Sequence, residues 1–242
     1  MWEISWSILA EMQRPCAIDP PCTKLMAMKP LKIDVVSDVV CPWCYVGLRR
    51  LEKALALYAE RHPESSAPDV HWHPFQLNPD LAPEGMDRAE YVRTKFGPRA
   101  AEVYDRVKAV GLSEGIAFNF DGIVRQPNTR VAHSLIAVAE PGQEQNRLVQ
   151  ALFDAYFVAN LDLTDAQTLT RVAQQAGLDE ARITQAMDDA DLHAHISQSD
   201  EQARSVGISG VPFFIFNGEY AISGAHEAEN LLEAMEQAVA EA

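Results

Sequence analysis

The apolar positions along this 242-residue chain change period, and the changes mark out its elements. Leu31-Lys32-Ile33-Asp34-Val35-Val36 is short and rich in β-branched residues, which predicts a buried strand. From Tyr45 to about Arg61, the residues Val46, Leu48, Leu51, Ala54, Leu55, Leu57 and Tyr58 recur at helical spacing between charged positions. Pro63 and the run Ser65-Ser66-Ala67-Pro68 end that helix. Val70-His71-Trp72-His73-Pro74-Phe75 then alternates as a second strand, with His71 and His73 on one face. Strand, helix and strand in this order predict a parallel β-α-β unit.

From about Asp87 to Gly207 the pattern is helical throughout. Segments Arg88 to Phe96, Arg99 to Val110, Asn128 to Ala139, Gln145 to Phe157, Asp165 to Ala176 and Ala181 to Ala190, and a run toward Val206, are separated by Gly97-Pro98, Gly111, Pro127, Pro141-Gly142 and Gly177. β character returns at Val211 to Phe216. Asn217-Gly218 is a hairpin turn signal, Tyr220-Ala221-Ile222 forms the second arm, and His226 to Ala240 closes the chain as an amphipathic helix. The expected organisation is an N-terminal extension over 1–30, an α/β domain made of 31–86 and 207–242, and an inserted helical domain over 87–206.

Composition narrows the function classes. A hydrophobic share of 48% with 23% charged residues is that of an ordinary globular protein. The formal net charge of -15, from 35 acidic and 20 basic residues spread along the chain, opposes binding to nucleic-acid phosphates or anionic membranes. Neither is expected as a partner. The apolar stretch Ile4 to Ala10 is flanked by Glu3 and Glu11 with no basic segment before it, so export is not indicated and a cytoplasmic location is expected.

All four cysteines, Cys16, Cys22, Cys41 and Cys44, fall in the first fifth of the chain, where they look reactive or metal-binding rather than structural. Cys41-Pro42-Trp43-Cys44 joins the first strand to the first helix. A thiol at a helix start is favoured as thiolate by unpaired N–H groups and the helix dipole, so Cys41 is the expected nucleophile. Cys44, one turn on, is placed to attack a mixed disulfide and release the substrate. Pro42 suits the first helical position, and Trp43 adds an apolar surface beside the thiols or simply packs. Asp38, three residues before Cys41, either modulates its proton transfers or caps the loop. His133 and His226 line the cleft or sit as ordinary core or surface residues.

The order β-α-β, helices, β-β-α with CxxC at the first strand-to-helix junction resembles the thioredoxin fold with an inserted α-helical domain, the arrangement of DsbA-family thiol-disulfide oxidoreductases. Ser37-Asp38-Val39-Val40-Cys41-Pro42-Trp43-Cys44-Tyr45-Val46-Gly47, Pro74-Phe75-Gln76-Leu77-Asn78-Pro79 and Gly207-Ile208-Ser209-Gly210-Val211-Pro212-Phe213-Phe214 look like the FrnE-like branch of that family. The resemblance implies a protein disulfide reductase or isomerase that needs no organic cofactor. Its partners would be protein disulfides or thiols, with glutathione as a further one. It also implies a cis Val211–Pro212 bond against the active-site sulfur, leaving the Val211 backbone free to pair with an extended substrate.

Other readings use the same residues. Cys16, Cys22, Cys41 and Cys44 together approach a four-cysteine zinc pattern, although five residues between the first two are wide for a zinc knuckle. Cys16 and Cys22 alternatively form an accessory redox pair that exchanges electrons with Cys41 and Cys44. Glutathione-dependent isomerases of the 2-hydroxychromene-2-carboxylate type share the architecture, but typically place Ser where Cys41 stands. A chaperone-like binding role would use the apolar surface around Trp43 and Phe213 without the thiols.

Overall fold

The structure, a computed structural model, describes residues 30–241. At its centre lies a four-stranded sheet of β1 (Lys32–Ser37), β2 (Asp69–Pro74), β5 (Phe213–Phe216) and β6 (Tyr220–Ser223), in the order β2-β1-β5-β6. β1 pairs parallel with β2 from Lys32↔Asp69 to Ser37↔Pro74, as the β-α-β reading requires, and antiparallel with β5 from Ile33↔Phe216 to Val36↔Phe213. Sheet faces covered on both sides call for strands without polar alternation, and β1 is buried from Ile33 to Ser37. Ile33 and Val35 face the main core with Phe214 and Phe216, while Val36 packs with Phe75, Ala203 and Ile208 in a smaller cluster on the opposite face.

Helix α1 (Pro42–Arg61) follows β1 across the cysteine pair. It starts at Pro42 because proline's missing N–H has no helical partner to lose at that position. Its buried side carries Cys44, Leu48, Leu51 and Tyr58, and it packs against α9 (Ala228–Ala240), whose Leu231, Leu232 and Met235 are fully buried. Each such side chain contributes roughly 1.5–3 kcal/mol on burial.

Between β2 and β5 run β3 (Met86–Asp87), α2 (Arg88–Phe96), α3 (Ala100–Ser113), β4 (Arg125–Gln126), α4 (Arg130–Val138), α5 (Gln143–Phe157), α6 (Ala166–Ala176), α7 (Glu180–Asp188) and α8 (Ala190–Ser205). Asp87, Asp165, Asp179 and Asp189 cap α2, α6, α7 and α8 by accepting backbone N–H groups of the first turn, each contributing about 1 kcal/mol. Gly177 ends α6 in the left-handed conformation at φ 104°.

The helical layer is joined to the sheet by packing and by polar contacts. Tyr45 on α1 stacks on Phe153 of α5 at 5.0 Å and meets Phe118 edge-on at 5.9 Å, so the core runs without a break from the sheet into the helices. The free edge of β2 is covered as well: Val70 O accepts the Gly142 N–H at 3.1 Å, and the Trp72 N–H donates to Gln145 Oε1 at 3.1 Å. An edge strand left open would invite pairing with another chain, and here α5 occupies it. On the other face α8 reaches the loop after β2, where Asp200 Oδ1 accepts the Gln76 N–H at 2.9 Å.

Candidate active site

Three backbone segments converge at the N-terminus of α1: the end of β1 with its loop (37–41), the loop after β2 (75–78), and the turn before β5 (210–212). Cys41 is the N-cap residue of α1, extended at φ -94° and ψ 111°, and its side chain makes no capping hydrogen bond. The sulfur is turned across to the third segment, where the thiol donates to Val211 O at 3.5 Å. A negative charge developing on that sulfur stands at the positive end of a 20-residue helix. Cys41 is 5% exposed and Cys44 1%, and both are free thiols.

Cys44 has a different environment. Burial pushes its thiol well above the ordinary range, and the neighbouring Cys41 pushes it further; the Asp38 N–H and the Ser37 hydroxyl, both turned to its sulfur, oppose the shift. The pair thus comprises an outer sulfur at the helix start and an inner one held as thiol. Ser37, the last residue of β1, is a contributor to which the sequence pattern assigns no role: the predicted strand ends at Val36, and Ser37 enters only within the longer stretch that resembles the family.

Pro42 and Trp43 are half-buried, with Trp43 packed on the main core. The Val211–Pro212 bond is cis, and Pro212 is buried. Its ring rests on Gly47 of α1: a Cβ added there would lie 2.9 Å from Pro212 Cγ and 3.2 Å from the Phe214 ring. Gly47→Ala is therefore expected to lower stability. Overpacking costs about 1–3 kcal/mol, while the gain in helix propensity returns at most about 1 kcal/mol. Urea unfolding checks this, and a raised midpoint would contradict the contact.

Of the other sequence candidates, Asp38 is fully buried and its carbonyl accepts the Cys41 N–H at 3.0 Å, which is the loop-capping role. His133, on α4, is buried beside it, whereas His226 is exposed and bonded to Ser223 O. His71 and His73 pair with Asp69 and Asp34 along the sheet. The accessory pair Cys16 and Cys22 lies outside the described residues, and with it the four-cysteine zinc arrangement. Among the described residues no helix is long and apolar enough to cross a membrane.

A chain with this fold and a dithiol at this junction matches one family model over residues 32–236, that of the DSBA-like thioredoxin domain, and the protein belongs to that family. It is 27% identical over 199 residues to the uncharacterized protein YwbO of Bacillus subtilis (strain 168), covering 80% of this chain and 90% of that one. Among solved structures it is similar to a probable DsbA oxidoreductase of Streptomyces coelicolor, with a TM-score of 0.76, 29% identity, and coverage of 88% and 91%. The cytosolic disulfide reductase DsbM of Pseudomonas aeruginosa, solved with GSH, shares the fold at a TM-score of 0.56 and 18% identity, with coverage of 87% and 96%.

Proposed function

We propose that this protein is a thiol-disulfide oxidoreductase of the FrnE-like branch, acting on protein disulfides in the cytoplasm as a reductase or isomerase through Cys41 and Cys44. The observation that carries the reading is the asymmetry of the pair: Cys41 caps α1 with its sulfur against the Val211 carbonyl, and Cys44 lies buried behind it. In the reductive direction the Cys41 thiolate attacks one sulfur of a substrate disulfide. A Cys41–substrate bond forms, the substrate S–S bond breaks, and the departing sulfur leaves as thiolate. Cys44 then loses its proton and attacks Cys41, which releases the second substrate thiol and leaves a Cys41–Cys44 disulfide. An extended substrate pairs with the Val211 backbone, and half-buried Trp43 supplies apolar contact beside the sulfur.

Glutathione is the proposed small-thiol partner that returns the disulfide to the dithiol, and the fold shared with a reductase solved with GSH supports this choice. A cytoplasmic setting suits reduction or isomerisation better than net oxidation. The test is equilibration of the purified protein across glutathione redox buffers, with the Cys41–Cys44 state read by mass after acid quench. The expected result is full interconversion along a two-electron curve. Two cysteines that stay thiols at every ratio would remove the redox reading.

A further inference from the structure

Asp38 is the point at which the dithiol loop is tied to the rest of the fold. Its carbonyl accepts the Cys41 N–H at 3.0 Å, its N–H faces the Cys44 sulfur, and its Oδ2 accepts the Leu77 N–H at 2.7 Å. Its other carboxylate oxygen, Oδ1, is buried and has no hydrogen bond. The group facing that oxygen is His133 Nε2, 3.4 Å away. His133 is 3% exposed, and the same Nε2 lies 3.2 Å from Phe75 O, which can only accept, so this nitrogen carries the hydrogen. That N–H is bonded to Phe75 O, and Asp38 Oδ1 stands 3.4 Å from the same nitrogen without a hydrogen bond of its own. A void of about 10 Å³, lined by Ser37, Val39, His73, His133 and Ile136 among others, lies beside the ring.

A buried carboxylate with one oxygen unpartnered is costly, and the imidazole is the donor within reach that offsets it. His133 comes from α4, about 95 residues beyond Asp38 in sequence, so the helical insertion supplies the support for a loop it does not contain. We propose that His133 is a positioning residue for the dithiol, acting through Asp38 to hold Cys41 at the start of α1. A displacement of α4 is then transmitted to Cys41 through the His133–Asp38 contact and the Asp38 carbonyl. The inference rests on Cys41 being the attacking thiol of the proposed reaction.

The test is the rate at which iodoacetamide alkylates the Cys41–Cys44 segment of the reduced protein as a function of pH, read by peptide mass so that Cys16 and Cys22 do not contribute. In that step a Cys41 S–C bond forms, iodide leaves and the thiol proton goes to solvent. His133→Phe, which removes the N–H, is expected to slow the reaction about tenfold, equivalent to about 1.4 kcal/mol, and to move the rate–pH curve. His133→Gln, which keeps a donor at similar reach, stays within about twofold of the wild type. His133→Phe combined with Asp38→Asn is no slower than His133→Phe alone, because the effect runs through the one carboxylate.

Other charged or titratable groups on the packed elements are unchanged in the His133 variants, so the shift in profile belongs to the replaced ring. They include His73 with Asp34 at 2.6 Å, Asp200 with Arg204 at 3.1 Å on α8, Arg130 on α4 and Tyr156 on α5. Should His133→Phe not fold, His133→Asn, whose amide is too short to reach Oδ1, carries the same expectation. A stable His133→Phe with wild-type rate and profile, or a His133→Gln as slow as it, would overturn the proposal. Unchanged alkylation of that segment in Cys41→Ser would instead remove the assignment of the attacking thiol, which separates the two failures.

Discussion

Cys41→Ser is expected to lower insulin reduction by at least about a hundredfold, to the level of the uncatalysed exchange. Thiol-disulfide exchange needs a sulfur nucleophile, and a serine hydroxyl, a far weaker nucleophile than a thiolate, does not replace it. Cys44 cannot substitute, because at 1% exposure it lies behind Cys41 and its thiol is held protonated by burial. The variant is expected to keep its fold, since Cys41 is an N-cap whose own side chain makes no capping bond and serine is among the preferred residues there. Loss of activity with unchanged circular dichroism and melting temperature is the predicted pattern. A Cys41→Ser protein that reduces insulin like the wild type would refute the assignment.

Much of the site was legible in the chain because its parts are local. The strand Leu31 to Val36 announces itself by β-branched residues, and the helix by its period, so the cysteines fall between them without any tertiary information. Asn217-Gly218 did the same for the hairpin: both residues have positive φ, 51° and 75°, which is the geometry a tight primed turn demands. The helix start at Pro42, three residues before the apolar period becomes readable at Tyr45, follows from the proline rule rather than from periodicity.

What escaped the sequence is non-local or too short to carry a period. β3 and β4 are two residues each and pair only with one another, as Met86↔Gln126 and Asp87↔Arg125. The contact between Asp38 and His133 joins a loop to a helix far along the chain, and each residue alone fitted an ordinary cap or core position. The same holds for α8, a weakly patterned helix whose Ala203 meets Val36 and Phe75 on the far face of the sheet. Its Asp200 and Arg204 fix the backbone of Gln76 between two residues, Phe75 and Leu77, that contact the Asp38–His133 pair. Short loop segments thus take their geometry from helices remote in sequence, and one-dimensional patterns do not encode such pairings.

Cys44→Ser is expected to do the opposite of Cys41→Ser: the first step proceeds and the second is blocked, so a covalent Cys41–substrate disulfide accumulates. Non-reducing gels or intact mass should show a nearly stoichiometric adduct with a disulfide substrate, where the wild type shows little. Absence of the adduct would mean that Cys44 is not the resolving thiol. In the wild type the same step has a predictable pH dependence. Once Cys41 is bonded to substrate it is neutral, so burial remains as the force holding the Cys44 proton, against the Asp38 N–H and the Ser37 hydroxyl. With the thiol's ionisation raised, its thiolate is a minor species at neutral pH, and each pH unit increases that species about tenfold until it ionises fully. Single-turnover release of substrate from the mixed disulfide should therefore accelerate steadily from pH 6 through pH 8, while a flat profile would place another step, or another proton acceptor, in control.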